Sequence, residues 1–141
     1  MASQDAIQTL SAKSCELKTT PFALLGAATV HMLGRLTGQS DLIIGVPVSG
    51  RPTEASQKVV GLCAETLPLR LSIAGSIPDL AHQVQDSLAR ALDHQSCTLD
   101  QILKAVKPPR VLDRSPLFDV LMSYHEGSDI KTSKAGLQIS P

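Results

Sequence analysis

The chain has 141 residues, one domain's worth, and at this size folding hides roughly 70% of the surface that an unfolded chain exposes. Hydrophobic residues make up 43% and charged residues 18%, which excludes an intrinsically disordered chain. The 13 basic and 13 acidic residues cancel, and aromatic residues are 2% with no Trp. The chain therefore lacks the positive excess and the ring surfaces that nucleic-acid binding uses.

The compartment follows from the ends and the cysteines. The N-terminus lacks a charged segment followed by an apolar run, and the most apolar stretch, residues 22–32, is too short to span a bilayer. We expect a soluble, cytoplasmic protein with no membrane partner. Three widely spaced cysteines, Cys15, Cys63 and Cys97, favour reduced thiols over a disulfide framework or a zinc site. The chain stops just after strand-like residues, so we expect a fragment of a larger domain.

The first half of the chain predicts two helices and a strand. A short helix begins near Ser3 and runs to about Cys15. A second helix begins after Thr20, which can cap free N–H groups beside Pro21, and ends before Gly38. The apolar run 41–48 predicts a strand covered on both faces, with Pro47 near its end because proline cannot donate to a ladder.

The second half predicts the opposite order, strand then helices. Residues 49–58 read as a long loop, and leucines alternate with polar residues in a strand over 66–73. Ser76 begins a third helix, and Thr98 with Gln101 forms a capping box for a fourth that stops at Pro108. Residues 117–124 and 137–140 predict further strands. The order α-α-β-β-α-α-β-β indicates a layered α/β domain.

Candidate nucleophiles and bases are scattered. No two of the four histidines are adjacent, and we expect His31 and His82 to be structural or exposed, His94 to end a helix and His125 to border a loop. Ser49 matches the G-x-S-x-G nucleophile turn only loosely, because Pro47 stands where the turn needs glycine. Cys63 has no neighbouring cation or His to activate it, which favours a buried packing role.

Four stretches, in order, resemble the C-terminal lobe of a nonribosomal peptide synthetase condensation domain, a member of the chloramphenicol-acetyltransferase-like superfamily. They are Gly38–Arg51 (GQSDLIIGVPVSGR), Val60–Arg70 (VGLCAETLPLR), His94–Asp100 (HQSCTLD) and Arg110–Phe118 (RVLDRSPLF). The family patterns are, in the same order, G-x-x-D-I/V-x-I/V-G-x-P-V/T-S/A-G-R, I/V-G-x-F-V/I-N-T-x-x-x-R, H-Q-D-x-P-F-E/D and R-D-x-S-R-N/S-P-L-F. The order and spacing of the four, more than any single one, carry the resemblance.

The resemblance implies a noncatalytic half-domain. The family joins two acyl groups held as thioesters on the phosphopantetheine arms of peptidyl or acyl carrier proteins, and its catalytic motif H-H-x-x-x-D-G lies in the other, N-terminal lobe. This sequence has no adjacent His pair. We expect residues 1–141 to form one partial domain, with no directly bound cofactor, that forms a substrate tunnel with the missing lobe. The tunnel or interface candidates implied by the resemblance are Ser49, Gly50, Arg51, Glu65, Thr66, Arg110, Arg114 and Ser115.

Departures from the family patterns leave alternatives open. Cys63, Ala64 and Glu65 replace Phe, Val and Asn. Glu65 could attract a cationic nucleophile in the tunnel or be a surface residue on a loop. The parent could be specialised, for example in a hybrid polyketide synthase of secondary metabolism, or catalytically decayed. Two further hypotheses are a standalone module that docks a carrier protein or self-associates, and an independent enzyme using Cys63 or Ser49. A half-domain is also expected to self-associate through apolar surface that its partner lobe would cover.

Overall fold

The computed structural model of the chain describes residues 4–51, 53–109, 112 and 114–125. Its elements are, in chain order, α1 (Gln4–Glu16), α2 (Pro21–Thr37), β1 (Asp41–Val48), α3 (Glu54–Gln57), β2 (Glu65–Ser72), α4 (Ile77–Asp93) and α5 (Leu99–Val106). The predicted α/β class is confirmed. The described helices include none that is long and apolar enough to cross a membrane.

Capping chemistry fixes the helix ends where the sequence predicted them. The Thr20 side chain accepts a hydrogen bond from Ala23 N at 3.1 Å, and Gly38 ends α2 in the left-handed conformation with φ 71°. Ser76 and Asp79 form a reciprocal capping box at the start of α4. Its consequence is electrostatic as well: the Ser76 hydroxyl and backbone N–H donate to the Asp79 carboxylate and lower the pKa of Asp79.

The sheet is a two-stranded antiparallel pair, β1 with β2, in which Ile44 lies opposite Leu69 and Leu42 opposite Leu71. Side chains alternate between faces, so these apolar residues share one face, the core face. It packs against the buried residues of α2 and α4, and together they form the core: Ala23, Ala27, Val30, Ile44, Val46, Leu69, Leu71, Leu80, Ala81 and Val84. The opposite face, which carries Ile43, Gly45 and Pro47 with Thr66 and Pro68, is called the second face below.

The predicted strand over 117–124 is wrong in its extent. The segment meets β1 in a single parallel bridge, Gly45 with Leu121, in which Gly45 N donates to Val120 O at 2.9 Å and Met122 N donates to Gly45 O at 2.8 Å. The next donor of a parallel ladder would be residue 47, and Pro47 has no N–H. Pairing therefore stops after one residue.

Two other expectations differ in detail. The predicted loop over residues 49–58 contains the short helix α3. The Thr53 side chain caps its N-terminus by accepting a hydrogen bond from Ser56 N at 3.2 Å. The predicted strand over 137–140 lies outside the described residues. Within the described residues the order is therefore α-α-β-α-β-α-α, with the 117–124 segment laid beside β1 by its one bridge.

Candidate functional site

Antiparallel pairing brings together four predicted site residues that are far apart in sequence. Val48 lies opposite Glu65 and Pro47 opposite Thr66, so Ser49 and Gly50, which follow β1, meet the beginning of β2. A Cβ built on Gly50 would lie 3.6 Å from Glu65 Cγ. We call this end of the sheet, formed by Ser49, Gly50, Glu65 and Thr66, the hairpin end.

Gly50 is required at the hairpin end for two reasons. Its φ of +62° is in the left-handed region, which side chains disfavour. Any Cβ would also overlap the carbonyl group of Cys63, which a backbone atom cannot avoid by rotating. Gly50 therefore allows the chain after β1 to lie directly against the chain before β2.

Arg51 holds the loop that connects the two strands. Its guanidinium donates from Nη1 to the carbonyl oxygens of Ser56, at 3.2 Å, and Val59, and from Nη2 to Gly61 O at 2.8 Å. Three carbonyls of one loop thus converge on one half-buried cation. These donors are used inside the loop, so the structure gives Arg51 a positioning role rather than direct contact with an anion.

Glu65 and Thr66 are both half-buried. Glu65 begins β2, so the alternative of a surface residue on a loop is wrong. Within the described residues its carboxylate takes part in no ion pair, and the Arg51 guanidinium is directed to carbonyl oxygens. The carboxylate is therefore available to a polar or cationic group that approaches the hairpin end.

The fourth motif lies partly within the described residues. Arg114 and Ser115 are exposed and form no side-chain hydrogen bond within the described residues, and Arg110 lies outside them. Phe118 from the same motif instead lies on the second face, where its Cε2 would be 2.6 Å from a Cβ at Gly45. The structure therefore connects this motif to the sheet through packing at Gly45, and the tunnel or interface role of Arg110, Arg114 and Ser115 stays a prediction.

A groove of about 260 Å³ opens beside the hairpin end. Its lining combines the ends of α2 and α4, the last residues of β1 and the segment after the bridge: Phe22, Val46, Pro47, Val48, Leu88, Leu92, Met122, Ser123, Tyr124 and His125. At its rim Ser123 Oγ lies 2.7 Å from His125 Nε2. A larger depression of about 630 Å³ lies between α5 and Pro116 and contains none of the predicted site residues.

Within the described residues, the candidate nucleophiles Ser49 and Cys63 have no activating partner. Ser49 is exposed and donates to no base, although its Oγ accepts from Arg51 N at 3.4 Å. Cys63 is half-buried, and all three cysteines are free. His125 is a candidate from the sequence, whereas Ser123 was missed. Its signal is its position two residues before a histidine, a spacing at which side chains share one face of an extended segment.

One ion pair lies at the other end of the second face. Arg70 donates from Nε and Nη2 to the Asp41 carboxylate, the shortest distance being 2.6 Å. These hydrogen bonds lower the pKa of Asp41. Both side chains are largely exposed, 75% for Arg70 and 47% for Asp41, so the pair orders the strand ends without adding much stability. Among the described residues no group of three potential ligands could hold a metal ion.

Comparison with known proteins gives a family-model match and several similar synthetases. A family model described as "Condensation domain" matches residues 2–140. The chain is 33% identical over 124 residues to the Malpinin synthetase of Mortierella alpina, covering 86% of this chain and 2% of that protein. It is 30% identical over 142 aligned positions to Tyrocidine synthase 3 of Brevibacillus parabrevis, covering 99% of this chain and 2% of that protein.

Solved structures give the same fold. The condensation domain from Monacolin K polyketide synthase matches with a TM-score of 0.75 at 23% identity, covering 84% of this chain and 28% of that one. A four-domain nonribosomal peptide synthetase bound to AMP and glycine matches with a TM-score of 0.75 at 24% identity, covering 83% of this chain and 9% of that one. The chain thus spans a small part of each protein that it matches.

Proposed function

We propose that this chain, which belongs to the condensation domain family, acts as the C-terminal lobe of such a domain. Its 141 residues form one wall of the substrate tunnel. In that tunnel the amine of one carrier-bound acceptor attacks the thioester of a carrier-bound donor, and an amide forms. The partners of this chain are then an N-terminal lobe and peptidyl or acyl carrier proteins, whose phosphopantetheine arms deliver the substrates.

The observation that carries this proposal is the composition of the hairpin end. It joins the end of one motif, Ser49 and Gly50, to the middle of another, Glu65 and Thr66, on a rigid two-stranded support. Two hydroxyls and a carboxylate without an ion-pair partner among the described residues lie at this end, with Thr66 on the second face and Glu65 on the core face. Groups held on strands orient a substrate well, and orientation alone can supply several kcal/mol of a barrier.

The chemistry itself needs a group that this sequence does not provide. The 141 residues contain no adjacent His pair, so the H-H-x-x-x-D-G base of the family must come from the N-terminal lobe. The role of this chain is therefore to position substrates. Arg51 contributes by fixing the loop between β1 and β2, and Glu65 contributes a negative charge that favours an acceptor amine in its protonated, incoming form.

Exposed apolar residues on the Arg51 loop support contact with a second lobe. Val60 is fully exposed and Leu62 is 94% exposed, three and five residues after α3 ends. Two such side chains beside each other on one loop are typical of a covered surface. The same observation favours a second candidate function, a module that self-associates or docks a carrier protein through this loop.

Complementation tests the first function. The chain is mixed with the N-terminal lobe encoded upstream in the same synthetase, and amide formation between two carrier-bound substrates is followed by mass spectrometry. We expect product from the mixture and none from either part. A folded pair that stays inactive while the undivided domain works would overturn the proposal.

The two candidate functions differ in their binding partners. Light scattering of the chain alone, with a Val60→Ser/Leu62→Ser variant, tests self-association. An NMR titration with the carrier protein tests docking. A monomer that is complemented by the N-terminal lobe, and that shows carrier-protein shifts only when this lobe is present, is the result expected for a tunnel wall.

A further inference from the structure

The segment that follows the β1 bridge carries a nucleophile and a base in contact. Ser123 Oγ and His125 Nε2 are 2.7 Å apart, within the range of a serine paired with its general base. With the imidazole protonated at Nδ1, the Ser123 hydroxyl donates to Nε2. In the described part of the chain, no other serine or cysteine side chain forms a hydrogen bond with a histidine.

An apolar groove lies next to this pair. Ser123 and His125 line it together with Phe22, Leu88, Leu92 and Met122. Its volume of about 260 Å³ is below the range of pockets for drug-sized ligands, about 300–1,000 Å³, and fits a short acyl chain. The pair is exposed, so a reacting carbonyl can reach Ser123 from solvent while its chain lies in the groove.

The backbone beside Ser123 has free donors. Met122 N donates to Gly45 O, but within the described residues the N–H groups of Ser123 and Tyr124 have no acceptor. The next step of the ladder would pair Tyr124 N with Pro47 O, but it does not form, because Pro47 has no N–H to donate to Met122 O and the bridge ends at Leu121. The Ser123 N–H is directed away from β1 by strand alternation. The N–H of the residue after a nucleophilic serine is a common donor to the oxyanion in acyl transfer, and Tyr124 has this position.

We propose that Ser123 and His125 form a hydrolytic site for short acyl thioesters, separate from amide formation. Ser123 Oγ attacks the thioester carbonyl while His125 Nε2 takes its proton. The C–S bond then breaks, the sulfur leaves as a thiol with the proton from His125, and an acyl ester remains on Ser123. Water attacks this ester, giving its proton to His125, and the free acid leaves as Ser123 Oγ recovers that proton. Water is the only co-reactant.

Two probes test the site on the whole chain. The first is a fluorophosphonate, with the adduct located by peptide mass mapping. The second is the butyryl thioester of N-acetylcysteamine, with released butyrate measured by chromatography. We expect one adduct, on Ser123, and turnover of the thioester above the buffer rate. Ser123→Ala removes both signals, and His125→Ala lowers both by about 100-fold, the usual contribution of a general base.

Control variants separate catalysis from structure. His125→Gln keeps a hydrogen-bonding side chain beside Ser123 but has no basic nitrogen, so we expect it to be as inactive as His125→Ala. Ser96→Ala and His82→Ala remove an exposed serine and an exposed histidine elsewhere, and both keep the wild-type signals. Circular dichroism confirms the fold of every variant.

Three results would overturn the proposal. They are an unlabelled wild-type chain that does not turn over the thioester, a Ser123→Ala chain that keeps its adduct or turnover, and a His125→Gln chain as active as wild type. The last would reduce the hydrogen bond to a structural contact. None of these results bears on complementation with the N-terminal lobe, so the two proposals fail separately.

Discussion

Substituting Gly45 by alanine tests how the 117–124 segment is held on the sheet. Glycine within a strand normally costs about 0.5–1 kcal/mol relative to alanine, so an unhindered Gly45→Ala change would stabilise the chain. Here the new Cβ would lie 2.6 Å from Phe118 Cε2 and 2.7 Å from Leu121 Cδ2. Both side chains must move, while the backbone on either side of Leu121 stays bonded to Gly45. We expect a net loss of about 1–3 kcal/mol, the usual cost of overpacking.

Urea denaturation measures this loss as a lower midpoint at unchanged slope. The double variant Gly45→Ala/Leu121→Ala provides the control, because Leu121 is 61% exposed and its truncation alone removes little packing. Removing that side chain frees space for the Cβ, so the double variant should recover part of the lost free energy. A Gly45→Ala chain that is more stable than wild type would refute the close packing of Phe118 and Leu121 on the second face.

Three other predictions concern the loop, the core and a helix start. Arg51→Ala should speed limited proteolysis near Val59–Leu62 while Lys58→Ala, which breaks an exposed ion pair, should not; equal cleavage rates would contradict the role of Arg51. Leu69→Ala should cost about 2–5 kcal/mol in urea denaturation and Leu36→Ala, at a 75% exposed position, under about 0.5 kcal/mol; similar costs would place the core elsewhere. Ser76→Ala should cost about 1 kcal/mol. The pKa of Asp79 is lowered in the folded chain, so its contribution to the free energy of unfolding is complete above its unfolded pKa of about 3.9 and is lost as pH falls through the lower folded pKa. Ser76→Ala should therefore also flatten the decline of stability below about pH 4. An unchanged acid profile would contradict the capping box.

The helices and the two strands follow from local chemistry, which explains why the sequence predicts them. The Thr20 hydroxyl, just before Pro21, caps α2, and Gly38 ends α2 by adopting a left-handed φ. Both signals depend only on residues at the helix ends. The short helix α3 has a local cap as well, between Thr53 and Ser56, but its four residues carry no buried side chain. Arg51 Nη1 also donates to the carbonyl oxygen of Ser56. Without apolar periodicity, pattern reading over that stretch finds only a polar loop.

The sequence predicts candidate site residues but not how they are arranged in space. The motifs identify Ser49, Gly50, Glu65 and Thr66, and only the antiparallel register shows that they meet at one end of the sheet. The contact between Phe118 and Gly45 depends on two chain segments more than 70 residues apart. No local pattern carries that information, since a glycine in an apolar strand is equally consistent with a bulge or a close approach.

Pro47 links the fold to both proposals. In β1 its missing N–H is harmless toward β2, because Gly45 directs both of its own backbone groups to residues 120 and 122, and alternation then directs those of Pro47 to the same side. The hydrogen bond is lost on that side, where the 117–124 segment cannot continue its ladder. Residues 123–125 consequently leave the sheet beside the hairpin end, where the N–H groups of Ser123 and Tyr124 have no acceptor within the described part of the chain. Pro47→Ala should restore a donor, extend the pairing to residue 123 and protect amide hydrogens there from exchange. It should thereby lower labelling of Ser123, and unchanged protection with unchanged labelling would show that Pro47 does not set the end of the ladder.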